Sequence, residues 1–346
     1  MYFRLKPEVY LIAGAKQDCL CNVLNGEIIL LNQEMAEQLS KAEVNEEIIS
    51  NENIEKLIEM GWGEEVSGPV FVDKVRYTNK FNKTRAWKLF PEVGMVILQL
   101  TGHCNSECGN EKCDNSFCPM CVKEEYNNEL TGKQWEEIIT KLSYLKPKQF
   151  MLTGGNPLYY KEFQHVLKYL KSKNYPIAIH VTDLESAKKL KDEMVYLSCF
   201  DWETVKVART MKNVRIVSEW DVSISAAIKV NMGSPKITKE SFMKKKNFGE
   251  IFTRMLYDDC LFGKITIMSN GDLVPCMGHK ELVIGNMLQG DITQNMKDLY
   301  EKYWCVSVDE RHNQKCQSCC LRYNCHSCSK YSDKMCSYDV AEGKWK

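Results

Sequence analysis

The chain has 346 residues, about two domains' worth and long enough to bury a real core. Its 46 Lys and Arg balance 46 Asp and Glu, which argues against bulk phosphate neutralisation and so against nucleic acid as a partner. The longest apolar run, Met95 to Leu100, is strand-sized, and the start Met1-Tyr2-Phe3-Arg4-Leu5-Lys6 lacks a secretory apolar stretch. A cytoplasmic, reducing setting without membrane insertion is therefore expected.

Residues 1 to about 65 predict a small module. Val9 to Ile12 and Leu20 to Val23 are short strands, Asn25-Gly26 is a hairpin turn, and Glu27 to Leu31 is the return strand. Asn32 is an N-cap for a helix over Gln33 to Leu39, and apolar spacing continues to Met60-Gly61. This gives three strands followed by helices. A polar connector, Ser67 to Lys88, follows.

From Met95 the pattern alternates. Strands are expected at Met95 to Thr101, Phe150 to Thr153, Ile177 to Val181, Val214 to Val217 and Val222 to Ser225. Helices are expected at Trp135 to Leu145, Lys161 to Lys173 and Leu184 to Leu197. Such alternation implies a parallel sheet or barrel, an α/β fold whose active site lies at the carboxyl ends of the strands. Cys104 and Gly154-Gly155 fall at such ends.

Cysteine is the outlier, with 17 residues. In a reducing compartment disulfides are disfavoured and metal ligation is the better reading. Cys19 and Cys21 sit near the start, Cys104, Cys108, Cys113, Cys118 and Cys121 form one group, and nine run from Cys260 to Cys336. Thiolates packed on a loop after a strand can wrap a metal centre. Three on a four-iron, four-sulfur cluster leave one iron open. Cys316-x2-Cys319 and Cys325-x2-Cys328 are paired as metal-binding cysteines are.

The first group, with Cys118-Pro119-Met120-Cys121 as the last two ligands and Cys104-Asn105 as the first, resembles the radical SAM enzymes. That resemblance implies a [4Fe-4S] cluster on Cys104, Cys118 and Cys121, whose open iron binds S-adenosyl-L-methionine for cleavage to a 5'-deoxyadenosyl radical. About ten extra residues separate Cys104 from Cys118. Cys108 keeps the family's x3 spacing from Cys104 and is the alternative to Cys118. Gly154-Gly155-Asn156-Pro157 resembles the family's second motif, with Asn156 where Glu is usual. The resemblance implies cofactor contacts from Gly154, Gly155 and Asn156, and from Ser223 and Ser225 on a later strand.

The C-terminal cysteines resemble the SPASM extension of radical SAM enzymes that modify peptides and proteins. By position, Cys316, Cys319, Cys325 and Cys336 are implied to hold one auxiliary cluster, and Cys260, Cys276 and Cys328 another with no obvious fourth cysteine. Cys305 and Cys320 are then spare. The N-terminal module resembles the winged-helix-like leader-recognition element of ribosomal peptide maturases. The implied organisation is a recognition module over 1–66, a linker over 67–92, a partial (β/α) barrel over 93–245 and a SPASM-type domain over 246–346. The expected strands number one fewer than the six of the usual partial barrel.

The implied activity is an oxidoreductase that modifies a ribosomally made precursor peptide by thioether or carbon-carbon crosslinking, or by epimerisation. Its implied partners are the precursor, held by its leader, and a reductant such as flavodoxin or ferredoxin. The alternatives are a protein-modifying SPASM enzyme of the sulfatase-maturase kind and a catalytically degenerate cluster-binding partner.

Overall fold

The computed structural model describes residues 1–74, 93–103, 129–199, 202–217, 239–242, 248–258, 260–310, 314–325 and 336–346. The chain divides into two compact units, one of Met1–Asn82, Lys236–Asp259 and Val306–Lys346, the other of Lys83–Pro235 and Cys260–Cys305. Among the described residues no helix is long and apolar enough to cross a membrane.

In the first unit β1 (Tyr2–Leu5) pairs antiparallel with β5 (Gly63–Val66). Between them β2 (Val9–Ile12), β3 (Cys19–Asn22) and β4 (Glu27–Leu30) form an antiparallel meander. The β3–β4 turn is the expected one: Gly26 takes φ +73°, where a side chain is disfavoured, and the Asn25 Oδ1 accepts from the Glu27 N–H at 2.9 Å. Asn32 caps α1 (Gln33–Glu43) by accepting from the Met35 N–H at 2.8 Å, and Asn51 caps α2 (Glu52–Glu59). The module thus holds five strands rather than three. β1 and β5 pair with each other across about sixty residues, so no local hairpin signal announces them as the Asn25-Gly26 turn announces β3 and β4.

Strand alternation sends β3 into two cores. Leu20 packs with Phe3, Leu5, Leu39, Ile54 and Trp62. Cys19 and Cys21 pack on the other side with Ile251, Phe252, Cys320, Leu321 and Tyr338. The N-terminal meander and the C-terminal cysteine segment therefore share a core.

The second unit is built on parallel strands: β6 (Met95–Gln99), β7 (Phe150–Thr153), β8 (Ile177–Val181), β9 (Met194–Ser198) and β10 (Val214–Val217), adjacent in that order. β11 (Lys264–Ile267) joins parallel on the far side of β6, and β12 (Asp272–Val274) and β13 (Gly285–Asn286) extend the sheet antiparallel. Helices α3 (Gly132–Ser143), α4 (Phe163–Ser172), α5 (Leu184–Lys189) and α6 (Trp202–Ala208) make the crossovers.

One expected helix is corrected. Leu184 to Leu197 does not stay helical: α5 ends at Lys189, and Met194-Val195-Tyr196-Leu197-Ser198 is strand β9. The Val and Tyr of that run favour a pleated strand, and buried pairing with β8 outweighs the helical spacing of the leucines. β9 and β11 supply strands that the sequence reading lacked. The expected strand Val222 to Ser225 lies outside the described residues.

Strands laid down in sequential order by right-handed crossovers have their helices on one face of the sheet. Register and alternation then separate two faces. One carries Val96, Leu98, Phe150, Leu152, Ile179, Val181, Val195, Leu197, Ile265 and Ile267, all buried and apolar. Phe150 meets Tyr175, just past α4, with ring centroids 4.8 Å apart, which marks this as the helix side. Each such side chain contributes about 1.5–3 kcal/mol by burial. The opposite face carries buried Met95, Ile97, Met151 and Ala178 and, mostly toward the carboxyl ends, the buried polar residues Gln99, Thr153, His180, Ser198 and Thr266.

Candidate functional site

The polar side chains crowd toward the carboxyl ends of β6 to β9. Gln99 stands opposite Thr153 in the β6–β7 register. The Thr153 hydroxyl lies 3.1 Å from His180 Nδ1, and His180 Nε2 lies 2.8 Å from the Ser198 hydroxyl. A hydrogen-bonded row thus crosses β7, β8 and β9. Complete burial pushes the His180 pKa down to about 3, so the imidazole is neutral at ordinary pH.

The segment after β6 is fastened to the turn after β7. Gly154 takes φ +112°, and a Cβ there would lie 2.2 Å from the Thr101 carbonyl oxygen. Only glycine allows that approach. The Asn156 N–H donates to the His103 carbonyl at 2.9 Å, and the Leu100 N–H to that of Thr153 at 2.8 Å. The Thr101 hydroxyl donates to Glu129 Oε1 at 2.5 Å. Thr101 and Glu129 flank the cysteine-bearing segment 104–128 in sequence, so the described residues on its two sides are joined to each other. Thr131 and Gln134 then form a capping box that starts α3.

Asn156 is fully buried, and both ends of its amide are engaged. Its Nδ2 donates to Asp183 Oδ2 at 2.7 Å and to the Ser186 hydroxyl at 2.6 Å. Its Oδ1 accepts from the Leu158 N–H at 3.1 Å. The side chain therefore holds the turn to the start of α5, and what the turn presents is backbone.

Two thiol groups lie among the described residues. In the first unit the side chains of Cys316, Cys319, Cys325 and Cys336 are half-buried. Burial pushes the Cys319 pKa up to about 12, opposed by a backbone hydrogen bond at Leu321 and reinforced by Cys320, Cys336 and Cys316 nearby. In the second unit burial and the neighbouring Cys260 push Cys276 up to about 12. The N–H groups of Gly278 and His279, at the start of a short helical turn, oppose this and favour the thiolate.

Among the described residues no three His, Cys, Asp or Glu side chains are arranged to hold a single metal ion. A four-iron cluster differs, because each thiolate binds its own iron and the sulfurs stand farther apart. Cys316, Cys319 and Cys336 each offer a sulfur donor of the kind such a cluster takes.

Cys104, Cys108, Cys118, Cys121, Ser223, Ser225 and Cys328 lie outside the described residues. Of the other expected site residues, the fold brings Gly154, Gly155 and Asn156 against the base of the cysteine loop, and Cys260 near Cys276. Sequence reading missed Gln99, Thr101, Glu129 and His180. For Gln99 and His180 the available signal was a polar residue at the last or next-to-last position of an apolar strand. Cys19 and Cys21, left without a role, are buried beside the C-terminal thiols. The Cys19 Sγ donates to the Cys320 carbonyl at 3.0 Å, and the Asn324 amide donates to Cys21 Sγ at 3.0 Å. Its hydrogen bond to Cys320, then burial, hold the Cys19 pKa far above the ordinary thiol value, so it stays protonated.

No protein-family model matches the sequence. No curated protein matches it. Among solved structures the chain is similar to Streptococcus suis SuiB bound to S-adenosylmethionine, at 15% identity and TM-score 0.44, over 94% of this chain and 95% of that one. It is similar to SuiB bound to precursor peptide SuiA, at 14% identity and TM-score 0.46, over 94% and 95%. It is also similar to anSMEcpe with bound AdoMet, at 11% identity and TM-score 0.40, over 68% and 88%. The chemistry of the site is read from this chain's own residues.

Proposed function

We propose that this protein is a radical S-adenosylmethionine enzyme that modifies a ribosomally made precursor peptide. The observation that carries the reading is the Gly154 turn. Its φ of +112° and its contact with the Thr101 carbonyl lock the Gly-Gly-Asn-Pro motif against the base of the cysteine loop, at the carboxyl ends of adjacent parallel strands. The glycine motif is thereby joined to Thr101 and His103, the residues that lead directly into the cysteine motif in sequence.

In this reading Cys104, Cys118 and Cys121 hold the first cluster, with Cys108 as the alternative to Cys118. Gly154, Gly155, Asn156, Ser223 and Ser225 hold S-adenosylmethionine. The Asn156 side chain ties the turn to Asp183, and its N–H ties the turn to the His103 carbonyl. Cys316, Cys319, Cys325 and Cys336 hold one auxiliary cluster, and Cys260, Cys276 and Cys328 a second. When bound, the clusters and S-adenosylmethionine supply a carbon-centred radical able to take a hydrogen atom from a peptide.

The chain's own residues do the rest. Glu129 and Thr101 fix the loop base, the Thr153–His180–Ser198 row lines the polar face without charge, and the buried apolar face keeps the sheet rigid. The edge strand β4 is the proposed docking edge for the precursor's leader, by strand addition. A protein reductant supplies the electron. The product is a thioether, a carbon-carbon crosslink or an epimerised residue.

A second reading, a protein-modifying enzyme of the sulfatase-maturase kind, is favoured by one observation. β3 is built into the core of the C-terminal cysteine segment through Cys19 and Cys21, which gives the N-terminal sheet a structural task of its own.

The test is metal analysis after anaerobic reconstitution. Two or three four-iron clusters, one for the cofactor and one or two auxiliary, predict about eight to twelve iron atoms per chain. Replacing Cys316 and Cys319 by Ala lowers that count by about four. Zinc in place of iron sinks the reading.

A further inference from the structure

The polar face of the second unit contains two buried atoms with unspent hydrogen-bonding capacity. Gln99 is fully buried on β6. Its Nε2 donates to the Thr101 carbonyl at 3.2 Å, while its Oε1 has no partner among the described residues. Thr266 is fully buried on the adjacent β11, and its Oγ1 also has none. Thr266 pairs with Ile97, and Gln99 lies two residues farther along the same strand, so both side chains project from the same face. A buried polar atom left unpaired costs about 1–3 kcal/mol, and each such atom in a native protein calls for a reason.

The surroundings define the missing partner. Gln99 Oε1 only accepts, whereas Thr266 Oγ1 both donates and accepts. A group that presents an N–H to one and a carbonyl to the other satisfies both. The row Thr153–His180–Ser198 toward the carboxyl ends is neutral, and the cation on this face, Lys264, stands at the other end of β11, where its ammonium donates to the Cys260 carbonyl at 2.5 Å. An ionised group would lose hydration there without compensation.

We infer that Gln99 and Thr266 form a subsite for a neutral amide group, a peptide bond or carboxamide of the substrate, on the polar face at the carboxyl ends of the parallel strands. The inference deepens the peptide reading and rests on it for the identity of the substrate. Held at this end of β6, the amide lies beside the turn that fastens the cysteine loop, so one contact places the substrate relative to the cofactor site.

The experiment follows thermal unfolding of the full-length protein with N-methylacetamide, the smallest peptide-bond probe. Sodium acetate and methylammonium chloride are the charged controls. The variants are Thr266→Val and Gln99→Met, which keep volume while removing the unpaired atom, and Thr266→Ser, which keeps the hydroxyl. The wild type is expected to melt higher with N-methylacetamide than with either salt at equal concentration. Thr266→Ser is expected to keep that response, and Thr266→Val and Gln99→Met to lose it. Without probe, Thr266→Val is expected to melt at or up to about 4 °C above the wild type, because it removes an unsatisfied hydroxyl. Equal probe responses in the wild type, Thr266→Val and Gln99→Met overturn the inference whatever their melting temperatures. No S-adenosylmethionine is consumed in this measurement. Its failure is therefore distinguishable from failure of the proposed chemistry, which is read from cofactor cleavage.

Discussion

The two faces of the parallel sheet have the same strands, the same backbone hydrogen bonds and nearly the same burial, yet only one of them mixes polar side chains in among the apolar ones. The helix-side face is Val, Leu, Ile and Phe throughout, and its contribution is burial. The other face places Gln99, Thr153, His180, Ser198 and Thr266 in the interior, where each costs desolvation and two retain unpaired atoms. A sheet built only for stability would have two faces like the first. The second face gives up stability, and it does so where the Gly-Gly turn and the cysteine loop base converge.

The comparison breaks most sharply at Gly154, where the polar face meets the loop. Gly154→Ala adds a strained backbone and an overlap with the Thr101 carbonyl, together about 2–6 kcal/mol. Misplacement of the loop is expected to slow S-adenosylmethionine cleavage about 100-fold. Chemical denaturation and 5'-deoxyadenosine formation measure the two losses, and a variant with wild-type cleavage would uncouple the turn from the cofactor.

On the helix side Leu152→Ala is expected to cost about 2–5 kcal/mol through lost burial and a cavity. Cleavage per folded molecule should stay at the wild-type level. Loss of cleavage at full folding would erase the functional difference between the faces.

The smallest effect depends on pH. His180 titrates near 6.5 when unfolded and about 3 when folded, so the unfolded chain binds the proton first on acidification. Its contribution to stability is complete above about pH 6.5 and is lost progressively as pH falls toward 3. From pH 7 to pH 5 the wild type is expected to lose about 2 kcal/mol more than His180→Asn. Equal losses in urea titrations at the two pH values would mean that His180 is not held neutral.

Much of the second unit could be read from its sequence, because apolar strand runs and amphipathic helices such as Phe163–Ser172 announce themselves by period. β9 could not, since Leu190, Val195 and Leu197 continue a helical spacing until pairing with β8 decides the matter. The Asn25-Gly26 turn and the Asn32 cap were legible because their chemistry is local. The polar face was not, because Gln99, His180 and Thr266 come from three separated strands and only the register aligns them. The same holds for Cys19 and Cys21: nothing local links them to Cys320, and the link appears only when β3 is packed.

The most direct measurement of the central claim is 5'-deoxyadenosine formation by the anaerobically reconstituted, dithionite-reduced protein supplied with S-adenosylmethionine. The account predicts steady formation of 5'-deoxyadenosine and methionine in the wild type. It predicts loss of both in Cys104→Ala and in Cys121→Ala, and in Cys118→Ala if Cys118 rather than Cys108 is the remaining ligand. A fully iron-loaded wild type that binds S-adenosylmethionine but leaves it intact under reduction would contradict the account and favour a cluster-binding partner without chemistry.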